Sequence, residues 1–235
     1  MRNKRLQCVL TKQPAFYFPS LFLRASFHEF AFTLLSVTPY IDRPTDKRTY
    51  PMKKSFLLIT GFILFAALFR LIPHAYNFTP IGAIALFGAA YFTDKKWALI
   101  IPLGAMWISD LLLNNLVYAS FYSGFTLFTP GFLFIYGGIV LIAVLGFYLF
   151  KKVTLPRVLA GAFGGSVIFF IVSNFGVWIA SPMYPLTVEG LILCYTAAIP
   201  FFHNTLAGTL VYSGVLFGAY EYVKRNQPSL VTGTL

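Results

Sequence analysis

Apolar residues run along this chain in long unbroken stretches, not in the alternating or one-faced patterns of soluble proteins. The stretches are Ser55–Ile72, Pro80–Phe92, Trp97–Leu113, Phe132–Phe150, Val158–Ala180 and Leu191–Tyr220. Most approach the roughly 17–25 residues that carry a helix across the hydrocarbon core of a bilayer. The second is shorter and rich in Gly and Ala, which predicts a tilted, partly buried span. Continuous runs argue against a β-barrel, whose strands alternate with period two. The expected fold is all-α: a polytopic transmembrane bundle of about six helices.

Composition agrees. Apolar residues make up 58% of the chain and charged residues 11%, against about 45–50% and about 25% in soluble domains. The charges also set an orientation. Lys53 and Lys54 precede the first run, Lys95 and Lys96 separate the second from the third, Lys151, Lys152 and Arg157 separate the fourth from the fifth, and Lys224 and Arg225 follow the last. The intervening connections, around His74–Thr79, Asn114–Thr129 and Ser181–Gly190, carry no Lys or Arg. Strict alternation of this kind predicts an even number of spans with both termini cytoplasmic. The net charge of +11 therefore reads as membrane topology. A nucleic-acid partner would call for basic residues clustered on one solvated face.

Residues 1–51 differ from the rest. Their apolar stretches Ala15–Leu23 and Phe30–Ile41 are short and interrupted by Pro19, Arg24, His28 and Glu29, too broken for a span or for the core of a signal peptide. Met52-Lys53-Lys54 resembles a natural start. The expected division is an extension outside the fold (1–51), a six-helix transmembrane domain (52–225) and a cytoplasmic tail (226–235), with an amphipathic segment on the membrane surface as the alternative for the extension. Cys8 and Cys194 imply no disulfide framework.

Placing each polar residue by depth gives the functional clue. Arg70 lies at the outer end of the first span, followed by His74 and Asn77 in the connection. Asp110 lies in the outer third of the third span, with Asn114 and Asn115 beyond it. Asn174 and Trp178 lie in the outer part of the fifth, and Tyr195, His203 and Asn204 in the outer half of the sixth. The cytoplasmic halves of the spans carry nothing comparable. An ionisable residue within a span costs roughly 2.5–3.5 kcal/mol on insertion scales and faces a partner or a cavity, so Arg70 and Asp110 are expected to pair. Each residue has a plainer reading: Arg70 snorkelling to headgroups, Asp110 as a structural partner, the asparagines as interhelical hydrogen-bond glue, the histidines as interface residues, and Trp178 with Tyr118–Phe128 as an aromatic belt. Their shared depth and side favour a polar cavity open to the exterior.

Other features refine this picture. Pro200 predicts a break in the overlong last run, with a short interfacial helix near Leu186–Ala197 and a main span from about Pro200. Small residues at Ala85/Ala89, Gly161/Gly165 and Gly214/Gly218 permit close helix approach. No phosphate-binding loop is present, since Gly161-Ala-Phe-Gly-Gly-Ser166 lacks the lysine, and there is no H-E-x-x-H. With one acid deep in a span and no close ligand spacing, no enzyme chemistry, metal site or cofactor is expected.

The segments Arg70-Leu-Ile-Pro-His74, Asn77-Phe-Thr-Pro-Ile-Gly-Ala83, Ser109-Asp110, Asn174-Phe-Gly-Val-Trp178 and Ala198-Ile-Pro-Phe-Phe-His-Asn-Thr205 resemble a family of small six-helix bacterial membrane proteins labelled as transport proteins. That family is in turn distantly similar to the substrate-binding S components of energy-coupling-factor transporters. The resemblance covers about Met52–Tyr222. It implies residence in the bacterial cytoplasmic membrane and capture of a vitamin-like small organic molecule from outside. The implied partners are a transmembrane coupling subunit and ATPases, with no nucleic acid. Cobalt and nickel S components carry a histidine close to the start, whereas Lys53 follows Met52 here, so the implied ligand is organic. Its site would be built from Arg70, His74, Asn77, Asp110, Asn174, Trp178, His203 and Asn204. A structural or assembly protein, with Arg70–Asp110 purely architectural, is the alternative.

Overall fold

The computed structural model describes residues 53–122 and 124–231. The expected extension at 1–51 lies outside the described residues, as do positions 232–235 of the expected tail. Among the described residues there are seven α-helices and no strand: α1 (Lys53–Leu68), α2 (Ile81–Tyr91), α3 (Lys95–Leu112), α4 (Phe132–Leu149), α5 (Leu155–Ala180), α6 (Val188–Asn226) and α7 (Pro228–Val231). Five segments are long and apolar enough to cross a membrane: Lys54–Leu71, Lys95–Val117, Phe132–Leu149, Leu155–Ala180 and Val188–Asn226. By length and composition this is a helical membrane protein. The spans alternate in direction, so the Lys/Arg-bearing connections gather at one end of the bundle, the basic end. The connections at 72–80, 118–131 and 181–187 gather at the other, the Arg70 end.

The expectation of six comparable spans changes at α2. Eleven residues at about 1.5 Å each make a rod of about 16 Å, half the roughly 30 Å hydrocarbon thickness. Instead of facing lipid, ten of its eleven residues are buried, and α1, α3, α4, α5 and α6 all pack against it. Its small residues permit this crowding. A Cβ on Gly88 would stand 3.0 Å from Pro102 of α3, one on Gly82 2.9 Å from Thr209 of α6, and one on Gly146 of α4 2.6 Å from the Ala89 Cβ. Leu86 and Phe87, both fully buried, fill the space the glycines leave. The expected small-residue pair Gly161/Gly165 also packs internally, its positions closing on Leu86, Ile142 and Phe150, whereas nothing approaches Gly218.

The predicted break at Pro200 does not occur. Helix α6 runs unbroken for 39 residues with Pro200 inside it, about 58 Å of rod. Proline removes one hydrogen bond and crowds one carbonyl, a defect that membrane-type helices tolerate within a bundle. Here Thr196, Thr205 and Thr209 hydroxyls donate to the carbonyls of Ile192, Phe201 and Thr205. The helix starts where the Thr187 side chain accepts from the Gly190 N–H at 3.2 Å. Gly190 is required there because a Cβ would run into the Pro185 carbonyl.

The basic end is closed by aromatic packing. Phe87, Tyr91, Phe217 and Tyr220 form a contiguous ring cluster, with Tyr91 and Tyr220 centroids 4.1 Å apart. This half is not wholly apolar as expected: the Tyr91 hydroxyl donates to Glu221 Oε1 at 2.9 Å, and Glu221 also pairs with Lys224 at 3.2 Å. The chain then turns back through α7, where the buried Ser55 hydroxyl of α1 donates to the Leu230 carbonyl at 3.1 Å and Val231 is buried.

Candidate functional site

At the opposite end the polar residues begin with the termination of α1. The helix tightens into a 3₁₀ turn at Phe69–Leu71, which carries Arg70 toward α3. There Arg70 Nη2 meets Asp110 Oδ1 at 2.7 Å, the two side chains only 11% and 18% exposed. Arg70 Nη1 donates to the Ser109 hydroxyl and, at 3.4 Å, to the Met106 carbonyl. The other carboxylate oxygen, Oδ2, accepts from the Tyr136 hydroxyl of α4 at 2.9 Å. Three successive spans are thus tied through one ion pair. Pairing offsets the desolvation of both charges, and removing either partner would strand the other at a cost of about 3–5 kcal/mol.

Just beyond Asp110, α3 widens into a π turn at Leu113–Val117, closed by the Tyr118 N–H on the Leu113 carbonyl at 2.7 Å. Turns of this kind occur frequently at functional sites. This one buries Asn114, 6% exposed, and presents Asn115 to the loop that follows. Asn115 accepts from the Thr126 N–H at 2.7 Å and donates to the Thr126 carbonyl at 2.9 Å, as a neighbouring strand would. The loop so held carries Tyr122 over the ion pair. Its phenol is held above the ordinary value, first by burial and then by the charge of Asp110.

The remaining predicted residues stand apart. Among the described residues, no hydrogen bond or ion pair links any of them to Arg70 or Asp110. His74 and Asn77 are exposed in the 72–80 connection, His74 Nδ1 lying 2.6 Å from the Ile72 carbonyl. Asn77 takes a left-handed conformation, φ 62°, tolerated by asparagine. That conformation drives Phe78 and Thr79 inward against Gly208, where a Cβ would meet backbone at 2.9 Å. Asn174 donates to its own helix at the Phe170 carbonyl, 2.7 Å, and Trp178 to the Pro185 carbonyl, 3.0 Å. His203 is exposed and Asn204 half-buried on α6. Here α5 and α6 are joined by Tyr195 to the Ile171 carbonyl at 2.6 Å and by Cys194 to the Asn174 carbonyl at 3.4 Å. Among the described residues no group of His, Cys, Asp or Glu could hold a metal ion.

Sequence reasoning missed Tyr136 and Trp107, read Tyr122 only as part of an aromatic belt, and noted Asn114 without giving it a role. Tyr136 lies in the first turns of an otherwise apolar helix, where a tyrosine reads as an interfacial anchor. Only its position opposite a buried carboxylate marks it as a partner. A small cavity of about 10 Å³ lies beside the pair, lined by Arg70, Ile81, Ile84, Met106 and Ile139 among others, about the lower limit for one water molecule.

A family model matches residues 51–230, which includes every element described above except the last residue of α7. The chain belongs to the family of unknown function DUF6580. The match takes in Arg70, Asp110 and Tyr136 together with the aromatic closure at the basic end. No curated protein and no solved structure matches the chain.

Proposed function

We propose that this protein is a membrane transport protein of the substrate-binding kind, resembling S components, that takes up a small organic molecule at its Arg70 end. The observation that carries this reading is the Arg70–Asp110–Tyr136 cluster, an ion pair held across three spans at a depth where charge is costly and marks a substrate pathway more often than a packing device. The inward fold of the 72–80 connection supports it, since irregular backbone at membrane depth is tolerated where it lines protein or a cavity. On this reading the basic end faces the cytoplasm of a bacterial cell, the Arg70 end faces outward, and the protein binds without catalysing. Energy comes from a separate coupling subunit and its ATPases.

The test is to purify the protein and identify small molecules that travel with it by mass spectrometry. A single organic compound released by the native protein and absent from Asp110→Ala supports transport. Empty preparations, with Asp110→Ala altering only thermal stability, would remove it. The second reading, an architectural membrane protein, is favoured by the small cavity beside Arg70, about 10 Å³. It predicts that second outcome.

A further inference from the structure

We infer that the ligand of this site presents hydrogen-bond acceptors, in the simplest case a carboxylate, to a set of N–H donors along α3. The inference rests on the transport reading and specifies its substrate class. Among the described residues, the buried side-chain nitrogens that lack a hydrogen-bond acceptor are Arg70 Nε, Trp107 Nε1 and Asn114 Nδ2. Folded proteins leave few such groups, and each calls for an explanation.

All three belong to one corner. Trp107, Asp110 and Asn114 are spaced three and four apart on α3 and its π continuation, so they share a face. Arg70 joins that face through Asp110. Asn114 is 6% exposed, so bulk water is not its acceptor. Each oxygen of the carboxylate in this corner already has a partner, Oδ1 in Arg70 and Oδ2 in Tyr136, and none of the three nitrogens bonds to it. Three N–H donors thus lie without acceptors along this face, one of them in the π turn.

That imbalance discriminates between ligands. A cation would meet a carboxylate whose charge is already balanced by Arg70, and would give the unpartnered N–H groups no acceptor. A carboxylate or a phosphate would supply the acceptors that these donors lack, next to a guanidinium. A soluble acid and the phosphate of a phospholipid share this chemistry, and the experiment separates them.

The full chain is purified in detergent, and its Tm is followed with benzoate, inorganic phosphate and benzylammonium as probes. Molecules carried by the protein are identified by native mass spectrometry. Benzoate or phosphate should raise Tm by about 2–4 °C, and Asn114→Leu and Trp107→Phe should abolish that rise. Because each variant removes a buried donor that lacks a partner, its own Tm should equal or exceed that of the native protein. A purely structural donor would instead lower Tm when removed, which overturns the inference. Stabilisation by benzylammonium, lost in Asp110→Asn, would overturn it while leaving transport intact. A carried organic acid lost in Asn114→Leu supports the inference. A carried anionic phospholipid lost in the same variant would overturn the soluble-substrate form. No response to either anion, with no carried acid, overturns the inference, and the transport reading then stands or falls on whether any other organic compound is carried.

Discussion

The two ends of the bundle solve the same problem differently. Each sets a tyrosine hydroxyl on a carboxylate: the buried Tyr91 on Glu221 at the basic end, the half-buried Tyr136 on Asp110 at the other. At the basic end the pair sits in a cluster of aromatic rings, is backed by Lys224, and is sealed by α7 against Ser55. At the Arg70 end the carboxylate carries a buried guanidinium, the helix unwinds into a π turn, and buried N–H groups lack acceptors. The first arrangement maximises packing. The second retains buried N–H groups that lack acceptors, each of which calls for an explanation.

The largest test of this contrast is Asp110→Ala. It strands Arg70 and should lower unfolding stability by about 3–5 kcal/mol. Replacing both Arg70 and Asp110 with Met and Leu should recover most of that loss in thermal unfolding while leaving no ligand bound. Recovery of both stability and binding would make the pair irrelevant to function. Next come the matched substitutions Tyr136→Phe and Tyr91→Phe. Each deletes one hydrogen bond to a carboxylate, worth about 1.5–3 kcal/mol, yet only the former should weaken ligand retention. Equal effects on retention would erase the distinction between the ends.

A smaller effect is expected at the α7 closure. Ser55→Ala removes the bond to Leu230 and should cost about 0.5–1.5 kcal/mol, measured by denaturant titration, with ligand retention unchanged. Smallest is the pH response of Tyr122. Its folded-state pKa lies above that of an ordinary tyrosine, so the unfolded chain loses the proton first. Its contribution is complete below about pH 10 and is lost as pH rises through the folded value. Tyr122→Phe should therefore flatten the alkaline limb of a Tm-against-pH curve slightly.

Much of this was legible in the sequence, for identifiable reasons. Span boundaries follow from hydropathy and the basic pairs, because lipid imposes one strong constraint on every residue of a span. Pairing of Arg70 with Asp110 was legible because two opposite charges at one depth have few other partners. The role of α2 was not, since a short Gly/Ala run looks the same whether it crosses lipid at a tilt or is enclosed by protein. Nor was continuity through Pro200, because a proline inside a long apolar run reads alike whether the helix breaks or carries on. Asn174, Trp178 and His203 share a depth with the ion pair but lie on other helix faces, and depth alone carries no azimuth. The donors at 107 and 114 could not be found from sequence because want of an acceptor is a property of the packed state.

The enclosure of α2 has a consequence for how the protein is made. A helix half the thickness of the hydrocarbon cannot rest alone in lipid, because its end carbonyls and amides would face hydrocarbon unsolvated. Yet it leaves the ribosome before α3, α4, α5 and α6, which form most of its walls. The nascent chain must therefore hold residues 81–91 at the membrane surface or against the insertion machinery until the later spans arrive, and then admit them in a post-insertion step. Assembly of this bundle ends at its centre.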